Sequence, residues 1–282
     1  MRDYYKEVLD ILGSTGVIIP VGDAREENAA RTTVTTRGSG GSFVFTYSEA
    51  ITALDNRLYR KGKAGLFQPF NHQTVDERAD SPDATYWSRG DSLADSAFSV
   101  GAWVRLYSTP DDMTIMSKIG TTTAKREWFF WLQRVNASSA KLFLRLFDES
   151  VPVSPDIVSS VTIGLTELAF IVATYDGTGG ANAMVGAELY KNGVIDAAPV
   201  RTENASYVAM ENGTALMHIV ANRNTADALD QFLRADLGGG PLGPFFTQIE
   251  LTQANVSNLY RIGLDALDRK AAPMFPPFMV GV

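Results

Sequence analysis

Cysteine is absent from this chain, which removes disulfides, thiolate metal sites and a cysteine nucleophile at once. Histidine is almost absent: with His72 and His218 alone and no cysteine, zinc hydrolysis and Cys-His chemistry find little support. Positive charge is also in short supply. Lys plus Arg number 25 against 32 Asp plus Glu, a net charge of -7, and no basic cluster stands out along the sequence to supply the positive face that phosphate neutralisation needs, so no nucleic-acid partner is expected. The local spot Arg57, Arg60, Lys61, Lys63 has acidic residues scattered nearby and reads as a solvated loop. No stretch approaches the ~20 apolar residues of a membrane-spanning helix, so no membrane insertion is expected. The opening MRDYYKEVLD is charged where a signal peptide carries an apolar run. The expectation is a product made in a cytosol that assembles there.

With no covalent or metal staple, stability rests on a core, and 282 residues suit one β-sandwich with elaborated loops. In AFSVGAWVRLY, Phe98, Val100, Trp103 and Leu106 nearly keep the period of two of a strand with a buried face, Gly101 interrupting. From Leu168 to Val194 two apolar runs flank a Gly-rich loop and close on Asn192-Gly193, a strong hairpin signal. Strands are also predicted at Thr32 to Thr36, Ser42 to Tyr47, Met113 to Lys118, Glu127 to Gln133, Lys141 to Phe147, Val161 to Ile163, Leu216 to Ala221 and Phe245 to Leu251. In Lys141 to Phe147 the leucines alternate with Phe143, Arg145 and Phe147, so burial on both faces is expected. Tyr5, Val8, Leu9 and Leu12 recur at i, i+3, i+4, i+7, predicting an amphipathic helix over 4 to 12 that stops at Gly13. Thr252 caps a second short helix predicted to run through Tyr260. Residues 55 to 91 read as a long decorated connection. The tail AAPMFPPFMVGV joins Pro273, Pro276 and Pro277 to Met274, Phe275, Phe278 and Met279, and needs something to bury it.

The order of these pieces carries a resemblance. Phe98 to Val104 (F-S-V-x-A-W-V), Ala173 to Gly177 (A-T-Y-D-G), Leu189 to Gly193 (L-Y-K-N-G) and Leu251 to Tyr260 (L-T-x-A-x-V-S-x-L-Y) resemble the concanavalin A-like, laminin-G-like domain. Ala221-Asn222-Arg223 and Gly240-Pro241-Leu242-Gly243-Pro244 fall where that family carries a strand end and the approach to its last strand, and Tyr5, Val8, Leu9 and Ile19-Pro20 resemble its opening. The resemblance implies an all-β jelly-roll sandwich of two antiparallel sheets, here with short terminal helices. It divides the chain into a lead-in over 1–30, a sandwich over 31–263 and an apolar, proline-bearing tail over 264–282. It also implies a fold that often binds glycans and often sits in phage virion proteins or secreted proteins.

Glucan-cutting enzymes on this scaffold carry an E-x-D-x-x-E or E-x-D-x-E strand, because retention needs two carboxylates about 5 Å apart on one face. No such strand occurs here, Glu250 stands alone, and the expectation is no enzyme. Calcium is the family's usual cofactor, and Asp176 with Asn192, or Asp91 with Asp95, would supply oxygens. Asp176-Gly177 and Asn192-Gly193 are equally good turn formers, and no D-x-D-x-D-G loop is present. For a glycan, the candidates to stack on sugar faces are Tyr86 with Trp87 and Trp128 with Trp131, the last two on opposite faces of an ideal strand, so that at least one is expected outward or bridging; Trp103 is expected in the core. His218 is expected as a satisfied sheet residue, Arg89-Gly90-Asp91 as a chance tripeptide, and the triplets at Asn136, Asn204, Asn212 and Asn255 as composition. The leading expectation is a non-enzymatic structural protein of a phage virion: a capsid decoration, head-fibre or tail-associated subunit, partnered by other virion proteins or by itself as a homo-oligomer. The alternatives are a glycan-binding adhesin for a cell surface and a polysaccharide hydrolase.

Overall fold

The computed structural model describes residues 3–23, 26, 28–30, 32–48, 67–71, 78–120, 125–223 and 229–269. The basic spot at 57–63, His72 and the tail from 270 lie outside the described residues. Two nine-stranded antiparallel sheets face each other. The first runs Val194–Ile195, Ala187–Lys191, Leu168–Tyr175, Phe98–Leu106, Phe245–Thr247, Val17–Ile18, Arg37–Gly38, with Arg234–Gly238 joining Phe98–Leu106 to Phe67–Asn71. The second runs Val200–Thr202, Asp156–Gly164, Ser139–Leu146, Arg126–Asn136, Met113–Ile119, Met217–Ile219, Ala79–Ser81, Val44–Tyr47, Thr33–Thr35.

Alternation along the long strands fills the space between the sheets. Phe98, Val100, Ala102, Val104 and Leu106 face Trp128, Phe130 and Leu132 and the leucines 142, 144 and 146 in one core cluster. Trp103 does not belong to this set. It lies on the opposite face with Phe170, Val172, Tyr190 and Phe245. That face is covered by helices, so both faces of the strand are apolar and the usual contrast between faces is erased. Gly101 sits where a Cβ would come within 2.7 Å of the Ile171 carbonyl and the Phe245 ring, so it is a close approach rather than an interruption.

The helices form as their patterns predict, but the second is longer. α1 spans Tyr4–Leu12; Asp3 caps it by accepting from the Lys6 amide at 3.1 Å, and Gly13 ends it at φ 76°. Tyr5, Val8 and Leu12 are its buried stripe. α2 spans Gln253–Arg269, and the Thr252 hydroxyl accepts from the Asn255 amide at 3.3 Å. Its apolar stripe continues beyond Tyr260 through Ile262 and Ala266, so the expected end of the sandwich at 263 falls inside a helix. Gly263 lies against Trp103, where a Cβ would meet the indole at 2.4 Å. Gly263→Ala is therefore expected to destabilise by about 1–3 kcal/mol through overpacking, although alanine favours a helix by about 1 kcal/mol. Urea denaturation checks this; a stabilised variant would mean that α2 shifts freely on the sheet.

Candidate functional site

At one end of the sandwich Phe98–Leu106 begins and Leu168–Tyr175 ends, paired at Phe98 and Tyr175. The loops gathered there are stitched by carboxylates. Asp95 accepts from the Tyr175 hydroxyl at 2.6 Å, the Tyr207 hydroxyl at 2.8 Å and the Met210 amide at 2.7 Å. The Tyr175 oxygen in turn accepts from the Gly179 amide at 2.8 Å. Burial pushes the Asp95 carboxyl up, against the pull of its three donors, and burial beside Asp95 pushes both tyrosines up. Asp148 accepts from the Val208 amide at 2.9 Å and the Ser150 hydroxyl at 2.6 Å. Burial opposes its charge, but Ser150 and the backbone donors hold it below the usual range. Asp95→Ala strands two buried hydroxyls and an amide. It is expected to cost about 3 kcal/mol or more and to raise amide exchange across 204–211, while a variant with unchanged exchange would mean the loops stand without it.

Beside this lies a buried ion pair. Lys118 and Glu127 are both fully buried, 2.8 Å apart. The Lys118 ammonium also donates to Asp83 at 2.7 Å and to the carbonyls of Gly213 and Ala215 at 3.1 Å each. Glu127 accepts from the Ser88 hydroxyl at 3.2 Å and the Gly213 amide at 3.0 Å through the same oxygen, leaving Oε2 without a partner. Burial drives its carboxyl up to about 7 despite Lys118. It reaches this position because the strand pairing shifts between Lys118 and Ile119, turning Glu127 inward beside Trp128.

The four stacking candidates do not form a platform. Trp87 and Trp128 are fully buried, and the Trp128 indole donates to the Trp87 carbonyl at 3.0 Å. Tyr86 is half-buried, its ring stacked on Phe43 and its hydroxyl donating to the carbonyls of Thr15 at 2.5 Å and Phe246 at 3.2 Å. Trp131 points to the other face of its strand, as alternation requires. There it stacks on Phe129 and Phe143 beneath Arg145 and is 3% exposed. Large rings fill the wide gap between sheets better than they serve a surface, so Phe98, Phe246 and Trp128 interlock instead.

The calcium pairs separate as well. The Asp176 amide bonds Gly186, whereas Asn192 lies six residues further along and bonds Phe170; at ~3.3 Å per residue the two stand about 20 Å apart, at opposite ends of the hairpin. Asp176 accepts from Thr178 in its own turn, and the Asn192 side chain accepts from the Phe170 amide at 2.9 Å. Asp91 accepts from the amides of Leu93 and Ala94, and Asp95 is occupied as above. Among the described residues no group of three or more His, Asp or Glu is arranged to hold a metal ion. His218 is buried in its sheet with Nδ1 2.6 Å from Asp80. In the Arg89-Gly90-Asp91 turn the backbone leaves no room at Gly90, where a Cβ would sit 2.1 Å from the Met210 carbonyl.

Sequence reading missed Lys118, Glu127, Asp148 and Tyr207. One signal was available: a lysine inside the otherwise uncharged strand MTIMSKI is rarely buried unless paired.

Residues 80–235, more than half the chain, match the family model described as the concanavalin A-like lectin/glucanases superfamily. No curated protein matches the sequence. Among solved structures the chain is similar to the binding domain of botulinum neurotoxin serotype D/C (12% identity, TM-score 0.53, 89% of this chain and 52% of that one). It is similar to the Trypanosoma rangeli sialidase in complex with 2,3-difluorosialic acid (11% identity, TM-score 0.53, 94% and 38%). A third is the neurotoxin DC binding domain in complex with rat synaptotagmin II (9% identity, TM-score 0.50, 88% and 51%). The chain thus spans about half the length of the toxin binding domains it matches, and at these identities the likeness concerns the fold.

Proposed function

Because this chain belongs to the concanavalin A-like lectin/glucanases superfamily, in its laminin-G-like branch, we propose that it is a non-enzymatic recognition and assembly module. The observation that carries this reading is the state of the loop-end carboxylates. Asp95, Asp148 and Glu127 each accept hydrogen bonds that hold loops, and Glu127 is fully buried. A glycoside hydrolase needs one carboxylic acid and one carboxylate facing the substrate. These groups face the protein.

The finer reading is a structural subunit of a phage virion, a capsid decoration, head-fibre or tail-associated protein, whose neighbours are other virion proteins or copies of itself. Its support is the edge where both sheets end in short strands, Val194–Ile195 and Val200–Thr202. Val194 is 65% and Val200 61% exposed there, and symmetric neighbours would bury them. Light scattering on the purified chain, with mass analysis of particles from the producing cell, tests it. Mass above the monomer that falls in Val194→Asp with Val200→Asp, and presence in particles, are expected. A strict monomer absent from particles, or release of sugar from a polysaccharide, sinks the reading.

A further inference from the structure

Three loop tips at the carboxylate-stitched end carry exposed aliphatic side chains: Leu93 at 83%, Val208 at 46% and Val151 at 39%. Scattered apolar residues on a surface are ordinary. These three stand on tips that bond to one another. The Ser92 amide donates to the Met210 carbonyl at 2.9 Å, the Ser92 hydroxyl bonds Glu211, and the Ser150 amide donates to the same Glu211 carboxylate at 3.1 Å. The Val208 amide reaches Asp148, which closes the set.

The Leu93 tip is held in an over-determined shape. Ser92 adopts φ 71°, a left-handed conformation that costs a non-glycine residue and persists only where surroundings enforce it. Asp91 enforces it by accepting from the amides of Leu93 and Ala94 at 3.0 and 2.8 Å. A leucine presented on such a turn loses little freedom when it is buried by a partner.

The charge around the tip has one dominant sign. Asp91 and Asp176 are exposed, and Glu211 stands between the Ser92 and Ser150 tips. The amides of Ala94 and Leu93 hold the Asp91 carboxyl below its usual range, so it stays ionised. Of the nearby cations, Arg126 pairs with Glu149, Arg89 is half-buried in the field of Tyr86 and Glu127, and Lys125 lies against Gly213. Among the described residues of this end no aromatic ring is exposed; Tyr175 and Tyr207 are buried. Sugar recognition by stacking has no tool here, whereas an aliphatic knob in an acidic collar complements an apolar socket rimmed by lysine or arginine.

The geometry points to this loop end as the docking face for a partner protein that presents a cationic, apolar segment, with Leu93 as its anchor. The inference rests on the non-catalytic reading above, and the two fail separately. Absence of peptide binding overturns the docking face alone, and polysaccharide cleavage overturns the function alone.

The test is fluorescence anisotropy of the full chain with three labelled 14-residue synthetic peptides: alternating Lys and Leu, alternating Glu and Leu, and alternating Lys and Ser. Binding of the Lys/Leu peptide alone is expected, weakening as salt rises. Leu93→Ser is expected to weaken it at least tenfold and Leu93→Lys further, both with unchanged unfolding midpoints because the side chain is solvent-exposed. Equal affinity for wild type and both variants overturns the inference, since the peptide then sits elsewhere. A glycan array on which wild type binds and Leu93→Ser does not overturns it in favour of a sugar ligand.

Discussion

Above pH 7, where Glu127 is ionised, Lys118→Met is expected to lower the unfolding free energy by about 3–5 kcal/mol, the cost of leaving a buried charge without its partner. The ammonium is completely enclosed and touches two carboxylates, Glu127 at 2.8 Å and Asp83 at 2.7 Å, besides the carbonyls of Gly213 and Ala215. Removing it strands Glu127, which has no route to water, and frees the 213–215 segment. The paired change Lys118→Met with Glu127→Gln should recover much of the loss, because an amide needs no counter-charge. Urea denaturation of wild type and the two variants decides the matter. A single variant within about 1 kcal/mol of wild type would show that the pair contributes nothing net, as exposed pairs often do.

The same pair sets a pH dependence. Burial raises the Glu127 carboxyl to about 7, from the model-compound value of 4.5 that the unfolded chain takes. Between pH about 4.5 and 7 the folded protein therefore holds the extra proton, and stability linked to Glu127 falls as pH rises through that window. Above it the slope vanishes. Glu127→Gln removes the titration, so the stability of wild type relative to that variant should decline from pH 5 to pH 7 and then level. A difference that is flat across the window would mean that Glu127 stays ionised beside Lys118.

Trp128→Ala is the second large effect, about 3–5 kcal/mol. The indole is fully enclosed between Phe98 at 5.4 Å and Phe246 at 5.5 Å between ring centres, and its N–H satisfies the Trp87 carbonyl. Truncation leaves a cavity in the middle of the sandwich and an unpaired carbonyl. Calorimetry should show a lowered transition with little change in heat capacity per residue unfolded. A variant that melts like wild type yet loses a glycan ligand would return Trp128 to the binding role its sequence context suggested.

These residues show where sequence pattern stops being informative. Aromatics near turns, such as Tyr86, Trp87 and Trp128, satisfy equally the needs of a sugar platform and of a core between two wide sheets. Spacing along one strand sorted Trp128 from Trp131, since alternation is a local rule. Whether a face meets solvent, a helix or the other sheet is a property of the assembled molecule. Trp103 is core, as its sequence suggests, but on the face opposite Phe98 and Val100, because α2 covers that side of the sheet. The short strands Ala79–Ser81, Val200–Thr202 and Arg234–Gly238 do not show in the sequence, because three to five residues carry too little periodicity to stand out.

The polar site was the least legible part. Asp95 meets Tyr207 and Met210 across more than a hundred residues of chain, and Lys118 meets Gly213 across 95. No motif records such pairs, because each partner arrives on a separate loop. The calcium pairing of Asp176 with Asn192 failed on the converse ground: nearness in sequence across a hairpin places its two ends far apart.

Sequence by itself determined the class of this protein. The order of strand and turn signals, the amphipathic pattern of α1 and the cap of α2 follow from local periodicity and capping, and composition removed disulfides and thiolate chemistry. Tertiary structure decided the rest: which aromatics are core, that the carboxylates brace loops, and that Leu93 is left standing on a rigid acidic rim. Burial and charge pairing depend on where distant segments meet, and a strand pattern fixes each segment's faces without fixing what lies against them.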